Sequence, residues 1–215
     1  MPSNRMRSFR AAALICIGCF CLSQGLSAQS AKGGSLKLYF DGKYEDSRQA
    51  ALAEIAANSG DIEPYVVICW DLLALKRWAD AENYGLKAYQ IKQDPRITEA
   101  LAEAAYNMGH NDTALRDFQN YVSVTQEGGR VGQAYYYMGE IYLRMARYAH
   151  ADIAFSTALQ YSPGSAGWWA RLGWAREKAG DIQSALSAYN SALGIDPRLQ
   201  DALLGRDRTL AILKR

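Results

Sequence analysis

Cysteine and histidine are scarce in this 215-residue chain, which holds four of the first and two of the second. Cys16, Cys19 and Cys21 all fall within the first 28 residues, so removal of that segment leaves Cys69 alone and excludes an internal disulfide. Cys69 stands in an apolar stretch and reads as a small buried residue. His110 falls in a turn and His150 at the start of a helical segment, so a histidine pair for a metal or a catalytic triad is not expected. No phosphate-cradling glycine loop is present, because Gly33-Gly34 and Gly128-Gly129 lack the following lysine or strand context. Glutamates are plentiful, yet without fixed pairing they read as solvated helix faces. The expectation is no enzyme, no metal and no cofactor. A glutamate-based hydrolase of cell-wall material would need two carboxyls facing each other across a closed cleft.

Long apolar runs are also missing. The longest, residues 11–22, falls short of the roughly 20 needed to span a bilayer. It follows Arg5, Arg7 and Arg10 and precedes a small, polar stretch over 23–31, with Ala28 or Ser30 as cleavage points. That order predicts a secretory signal peptide over residues 1–28, and the lack of an Arg-Arg pair favours a general export route. The expected destination is a Gram-negative type of periplasm. Membrane contact is expected only through an uncleaved leader or through lipidation of Cys16, Cys19 or Cys21, whose preceding residues fit a lipoprotein signature poorly. The leader's three arginines account for the net positive charge. Without them, 21 Lys and Arg face 22 Asp and Glu, a formal charge of −1. No basic face or stripe remains, so nucleic acid is not an expected partner.

What the chain does have is a pattern with a period of 34. In residues 166–199, Trp169, Leu172, Gly173 and Arg176 fall on one side of a first helix, and Ala185, Tyr189 and Ala192 line one side of a second. Gly180-Asp181 separates the two helices, and Asp196-Pro197 ends the unit. Small Gly173 and Ala185 let the backbones approach, while Trp169 and Tyr189 fill the space around them. Residues 132–165 repeat the pattern with Tyr135, Met138, Gly139, Tyr142, Ala151, Phe155, Ala158 and Pro163. This resembles the tetratricopeptide repeat family, whose 34-residue signature runs W, L-G, Y, A, F, A, P. Arg176 stands where the signature has tyrosine.

The resemblance implies an all-α fold, a right-handed superhelical solenoid of antiparallel helix pairs with a concave inner wall. Residues 29–61 read as linker and degenerate half-repeat, with a helix over 44–57 and a truncated run at 35–40. Repeats follow at 62–94, 95–131, 132–165 and 166–199, and an amphipathic capping helix occupies 200–215. The first repeat is frayed: Cys69 holds its glycine slot and Gly85 its aromatic slot. Its first helix, 64–75, is apolar enough to be covered on both sides, or to serve as a self-association face. In the cap, Ala202, Leu203, Leu210 and Leu213 are expected to face inward, with Arg206, Arg208, Lys214 and Arg215 on a basic outer face.

In that family the inner wall is lined by first-helix residues offset from the packing positions. Carried across, they are Arg96, Glu99, Glu103 and Tyr106, then Gln133, Tyr136, Tyr137 and Glu140, then Arg171, Trp174 and Glu177. Aromatic and arginine side chains are enriched in protein-binding hot spots, so a protein or peptide partner is expected there. The lysines and asparagines by which one subgroup grips a C-terminal carboxylate are absent. A ligand presenting basic or apolar groups to Glu99, Glu103 and Glu140 is therefore expected. The expected role is a scaffold or adaptor outside the cytoplasm, in envelope or appendage assembly. The alternative is a self-associating structural component without a separate ligand.

Overall fold

The computed structural model describes residues 34–125 and 130–214. The segment expected to be a signal peptide, with its three cysteines, lies outside them, as do Gly33, the Gly128-Gly129 pair and Arg215. Among the described residues there are eleven helices and no strand. They are α1 (Gly34–Phe40), α2 (Tyr44–Ala57), α3 (Glu63–Ala74), α4 (Trp78–Ile91), α5 (Pro95–Asn107), α6 (Asn111–Val124), α7 (Val131–Arg144), α8 (Tyr148–Tyr161), α9 (Ala166–Ala179), α10 (Ile182–Ile195) and α11 (Gln200–Leu213). The run at 35–40 is thus a short helix, packed with α2 as a pair.

Local chemistry sets the ends. Pro64 and Pro95 sit in first turns, where a missing N–H breaks no bond. Asp94 accepts from the Arg96 N–H at 2.9 Å and Asp181 from the Ser184 N–H at 3.1 Å, capping α5 and α10. Within each helix pair, a residue with positive φ closes the first helix: Gly42, Lys76, Gly109, Ala146 and Gly180. At each, the next residue's N–H reaches back five positions, as from Asp181 to the Arg176 carbonyl at 2.9 Å.

In the third and fourth repeats the pair is held by a glycine in the first helix facing a ring in the second. A Cβ on Gly139 would lie 2.6 Å from the Phe155 ring, and one on Gly173 2.8 Å from the Tyr189 ring. The frayed repeat solves the same problem differently. Gly85 replaces the ring of α4, and Leu101 from the following α5 enters the vacated space, 2.7 Å from where a Gly85 Cβ would be. First helices also touch one another along the array, α1 on α3, α3 on α5, α5 on α7 and α9 on α11. They form the inner layer and the second helices the outer one.

Two expectations need correction. The apolar helix α3 is covered on both sides, as its composition implied, by α1, α2, α4 and α5, with nine of its residues buried; it is the alternative, a self-association face there, that falls. Cys69 is buried with it, 3.7 Å from the Ala81 carbonyl, and burial pushes its thiol up to about 12. In α11 the side facing α10 is made of small residues, Ala202, Gly205 and Thr209, whereas Leu213 is exposed. Tyr189 imposes this choice, because its ring fills the space where larger side chains would stand. Arg208 consequently turns inward rather than outward.

Asp71 stands at a position where the later repeats bury Ala104, Ile141 and Ala175. Both its carboxylate oxygens are buried without a hydrogen-bond partner among the described residues. Burial pushes this carboxyl up to about 6, against the opposing pull of Ser47 and Arg48 on α2.

Gly205→Ala places a methyl 2.2 Å from the buried Tyr189 ring, which is tied by its hydroxyl to Glu177. It should cost about 1–3 kcal/mol in a urea melt. Gly194→Ala, where a Cβ meets nothing within 4 Å, should instead gain about 0.5–1 kcal/mol. The Asp71 charge destabilises the fold, because its folded value lies above the ordinary 3.8. The cost is absent below the ordinary value and complete once pH passes the folded one. Asp71→Asn should therefore match the parent's thermal melt near pH 3.5 and exceed it by about 1–3 kcal/mol at pH 7.5.

Candidate partner-binding groove

The inner face of the first helices carries acid–base rungs that tie each repeat to the next. At the N-terminal end Arg96 bonds Asp94 and reaches across to Glu63 at 2.8 and 2.9 Å. In the middle, Arg130 Nη2 donates to Glu103 at 2.6 Å, and its Nη1 lies 3.3 Å from Glu99. Glu103 also accepts from the Tyr137 hydroxyl at 3.1 Å. Further along, Arg171 grips Glu140 through Nε and Nη2 at 2.5 and 2.7 Å. At the C-terminal end Arg208 grips Glu177 through the same two nitrogens at 2.8 and 2.9 Å, and Tyr189 adds a third donor at 2.7 Å. Glu99–Arg130, Glu140–Arg171 and Glu177–Arg208 each span 31 positions, one repeat less about one helical turn.

Burial decides the state of these acids. Glu99 is 2% exposed, and its Oε1 makes no hydrogen bond. Burial pushes its carboxyl up to about 7, while Arg130 opposes the shift. Burial also works to raise Glu177, but donation from Arg208 and Tyr189 outweighs it and holds the carboxyl below its usual range. Arg96 holds Glu63 and Asp94 low in the same way.

Rings fill the space between rungs. Tyr137 lies 4.7 Å from Tyr106 and stacks on Phe118 at 5.3 Å. Arg144 covers Tyr106 at 3.9 Å, and Tyr136 stacks on Trp168 at 5.1 Å. Trp174 lies under Lys178 at 4.4 Å and Arg208 at 5.0 Å. Between α9 and α11 the wall opens into a pocket of about 210 Å³, lined by Ala170, Arg171, Trp174, Tyr189, Asp201, Leu204 and Arg208. Among the described residues no group of three His, Cys, Asp or Glu is placed to hold a metal, and no helix is long and apolar enough to cross a membrane.

The tetratricopeptide repeat profile matches residues 132–165 and 168–199, the segments that carry α7–α8 and α9–α10. Those two segments are tetratricopeptide repeats. The chain is 25% identical over 177 residues to anaphase-promoting complex subunit 3 of Schizosaccharomyces pombe, and spans a quarter of that protein's length. Its fold superposes on that of Pseudomonas aeruginosa pilF with a TM-score of 0.75, at 12% identity over 89% of this chain and 86% of that one. It also superposes on YrrB, described as a TPR protein with an unusual peptide-binding site, with a TM-score of 0.68 at 14% identity, covering 87% and 98% of the two chains. The crystal structure of MamA superposes at 0.67, with 17% identity over 81% and 94%.

Tetratricopeptide repeats are a protein–protein interaction scaffold, and the inner wall is where this chain's candidate residues gather. The structure brings all but one of them into the rungs and ring contacts described. Gln133 is half-buried on α7, outside those contacts. It also changes their roles. Glu99 is sealed beneath Arg130, and Glu103, Glu140 and Glu177 are consumed by bonds to the next repeat, so the expected reading of basic groups by exposed glutamates fails. Tyr137 is committed to Glu103 and Phe118. Arg130, Arg208, Arg144 and Trp168 belong to the wall and were not placed there from the sequence. The 31-position spacing between Glu and Arg was the signal available to find the first two.

Arg130→Gln should strand Glu99 and Glu103 in a buried site and cost about 3–5 kcal/mol by urea denaturation. Adding Glu99→Gln and Glu103→Gln should recover at least half of that loss.

Proposed function

We propose that this protein is a non-catalytic scaffold or adaptor that acts outside the cytoplasm and holds a peptide or partner protein along its inner wall. The observation that carries the reading is the wall itself. It is a preformed surface of helices whose side chains are cross-braced between repeats, ending in an open pocket beside Trp174. Helices braced in this way lose little conformational entropy on binding, which favours capture of an extended or helical segment. The basic, apolar and small-residue order of residues 1–28 supports export, with the periplasm as destination. The likeness to a repeat protein with a peptide-binding site rests on fold and agrees with peptide capture; the role in envelope or appendage assembly follows from the export reading.

A photo-crosslinking amino acid at position 174, with one at Ile153 on the outer layer as control, tests this in cells. Crosslinks to a single partner should form from position 174 and not from position 153, in the fraction released by opening the outer envelope. Equal crosslinking from both positions would overturn the groove, and retention of full-length chain in the cytosol would overturn the export.

A further inference from the structure

We propose, resting on the groove reading above, that the inner wall takes an acidic segment of the partner, read by a column of arginines with its strongest subsite in the pocket between α9 and α11. Three of the four rungs have the same polarity. The side chains of Arg130, Arg171 and Arg208 are 34–44% exposed, whereas those of the acids beneath them, Glu99, Glu103, Glu140 and Glu177, are 3–13% exposed. The first rung differs: Arg96 covers Asp94, but its cross-repeat partner Glu63 is 59% exposed. Along the other three rungs a ligand meets the positive end of each pair first, and the negative end lies behind it. Paired charges do not cancel at close range when one is at the surface and the other is sealed.

The donors are also directed. Arg171 and Arg208 each spend Nε and Nη2 on a glutamate, and neither Nη1 makes a hydrogen bond among the described residues. Both guanidiniums line the same pocket, with Lys178 nearby over Trp174. Holding one edge of a guanidinium fixed leaves the other pre-aimed, so little side-chain entropy remains to be lost when an acceptor arrives. The pocket's size suits one side chain rather than a cofactor, and a carboxylate is the acceptor that gains most from two such donors. Arg96 contributes charge only, since Asp94 and Glu63 occupy its nitrogens. Two exposed acids limit the column, Glu63 at its N-terminal end and Asp201 on the lining of the pocket itself, where the two arginines outnumber it.

The test uses 15N-labelled protein comprising residues 29–215, titrated with three capped eight-residue peptides in which leucine alternates with glutamate, glutamine or lysine. The glutamate peptide should shift the amides around Trp174 and Arg208, and its affinity should fall steeply with added salt. Arg171→Gln should weaken it about tenfold. The double variant Glu140→Gln with Arg171→Gln removes donor and buried acceptor together; it should weaken binding as much while keeping the parent's melt. Glu140→Gln alone frees Arg171 and should tighten binding severalfold, an effect that a purely structural role for the pair would not give. Equal binding of the glutamine peptide, preference for the lysine peptide, or weakening by Glu140→Gln would each overturn the acidic assignment. So would loss of all peptide shifts while crosslinking from position 174 persists, a result that leaves the groove standing. Loss of both overturns the groove together with this assignment.

Discussion

In the last two repeats the first helix reaches its own second helix closely only because a glycine on one meets a ring on the other. At Gly139 and Phe155, and again at Gly173 and Tyr189, the available gap is smaller than a methyl group needs. Tyr189 then serves two neighbours, since Gly205 of α11 packs on the other side of the same ring. That close approach fixes the angular position of each first helix about its own axis. The axis position in turn decides which side chains look inward, so the wall's chemistry is set by contacts on its opposite side.

Much of this was legible in advance. The period of 34, the helix limits and the glycine and aromatic slots followed from side-chain size and spacing, and the wall positions were what the resemblance to the repeat family implied. Even the frayed repeat was recognisable by its Cys69 and Gly85 exchange. What stayed hidden was pairing across repeats. A glutamate on one helix gives no local sign of whether water or an arginine 31 positions later will face it, and the difference reverses what the surface presents to a ligand. Arg208 shows the point best. Periodicity within α11 placed it outward because it drew the inward side through Leu203, Leu210 and Leu213 together with Ala202, rather than through the small set Ala202, Gly205 and Thr209. The space left by Tyr189 admits only the smaller set.

Hidden carboxylates also change how the array coheres. Rungs such as Glu140–Arg171 are half-shielded, bidentate and placed between repeats, so they oppose sliding of one pair against the next more than an exposed surface pair would. The middle rung departs from this balance. Two acids share Arg130 there, and the buried one is not satisfied. At that joint Tyr137, two positions before Gly139 as Arg171 is before Gly173, meets Glu103 where an arginine meets the corresponding acid further along.

The two non-glycine residues in left-handed turns, Lys76 and Ala146, show where the path of the chain is decided. Each carries a side chain in a conformation that disfavours it by roughly 1 kcal/mol, yet each makes the same backward bond as Gly109 and Gly180. Neighbouring helices dictate the bend, and the residue at the bend merely complies. Turn composition can therefore drift during evolution while the spiral keeps its pitch, which leaves the joints of such an array free to change without moving the surface they support.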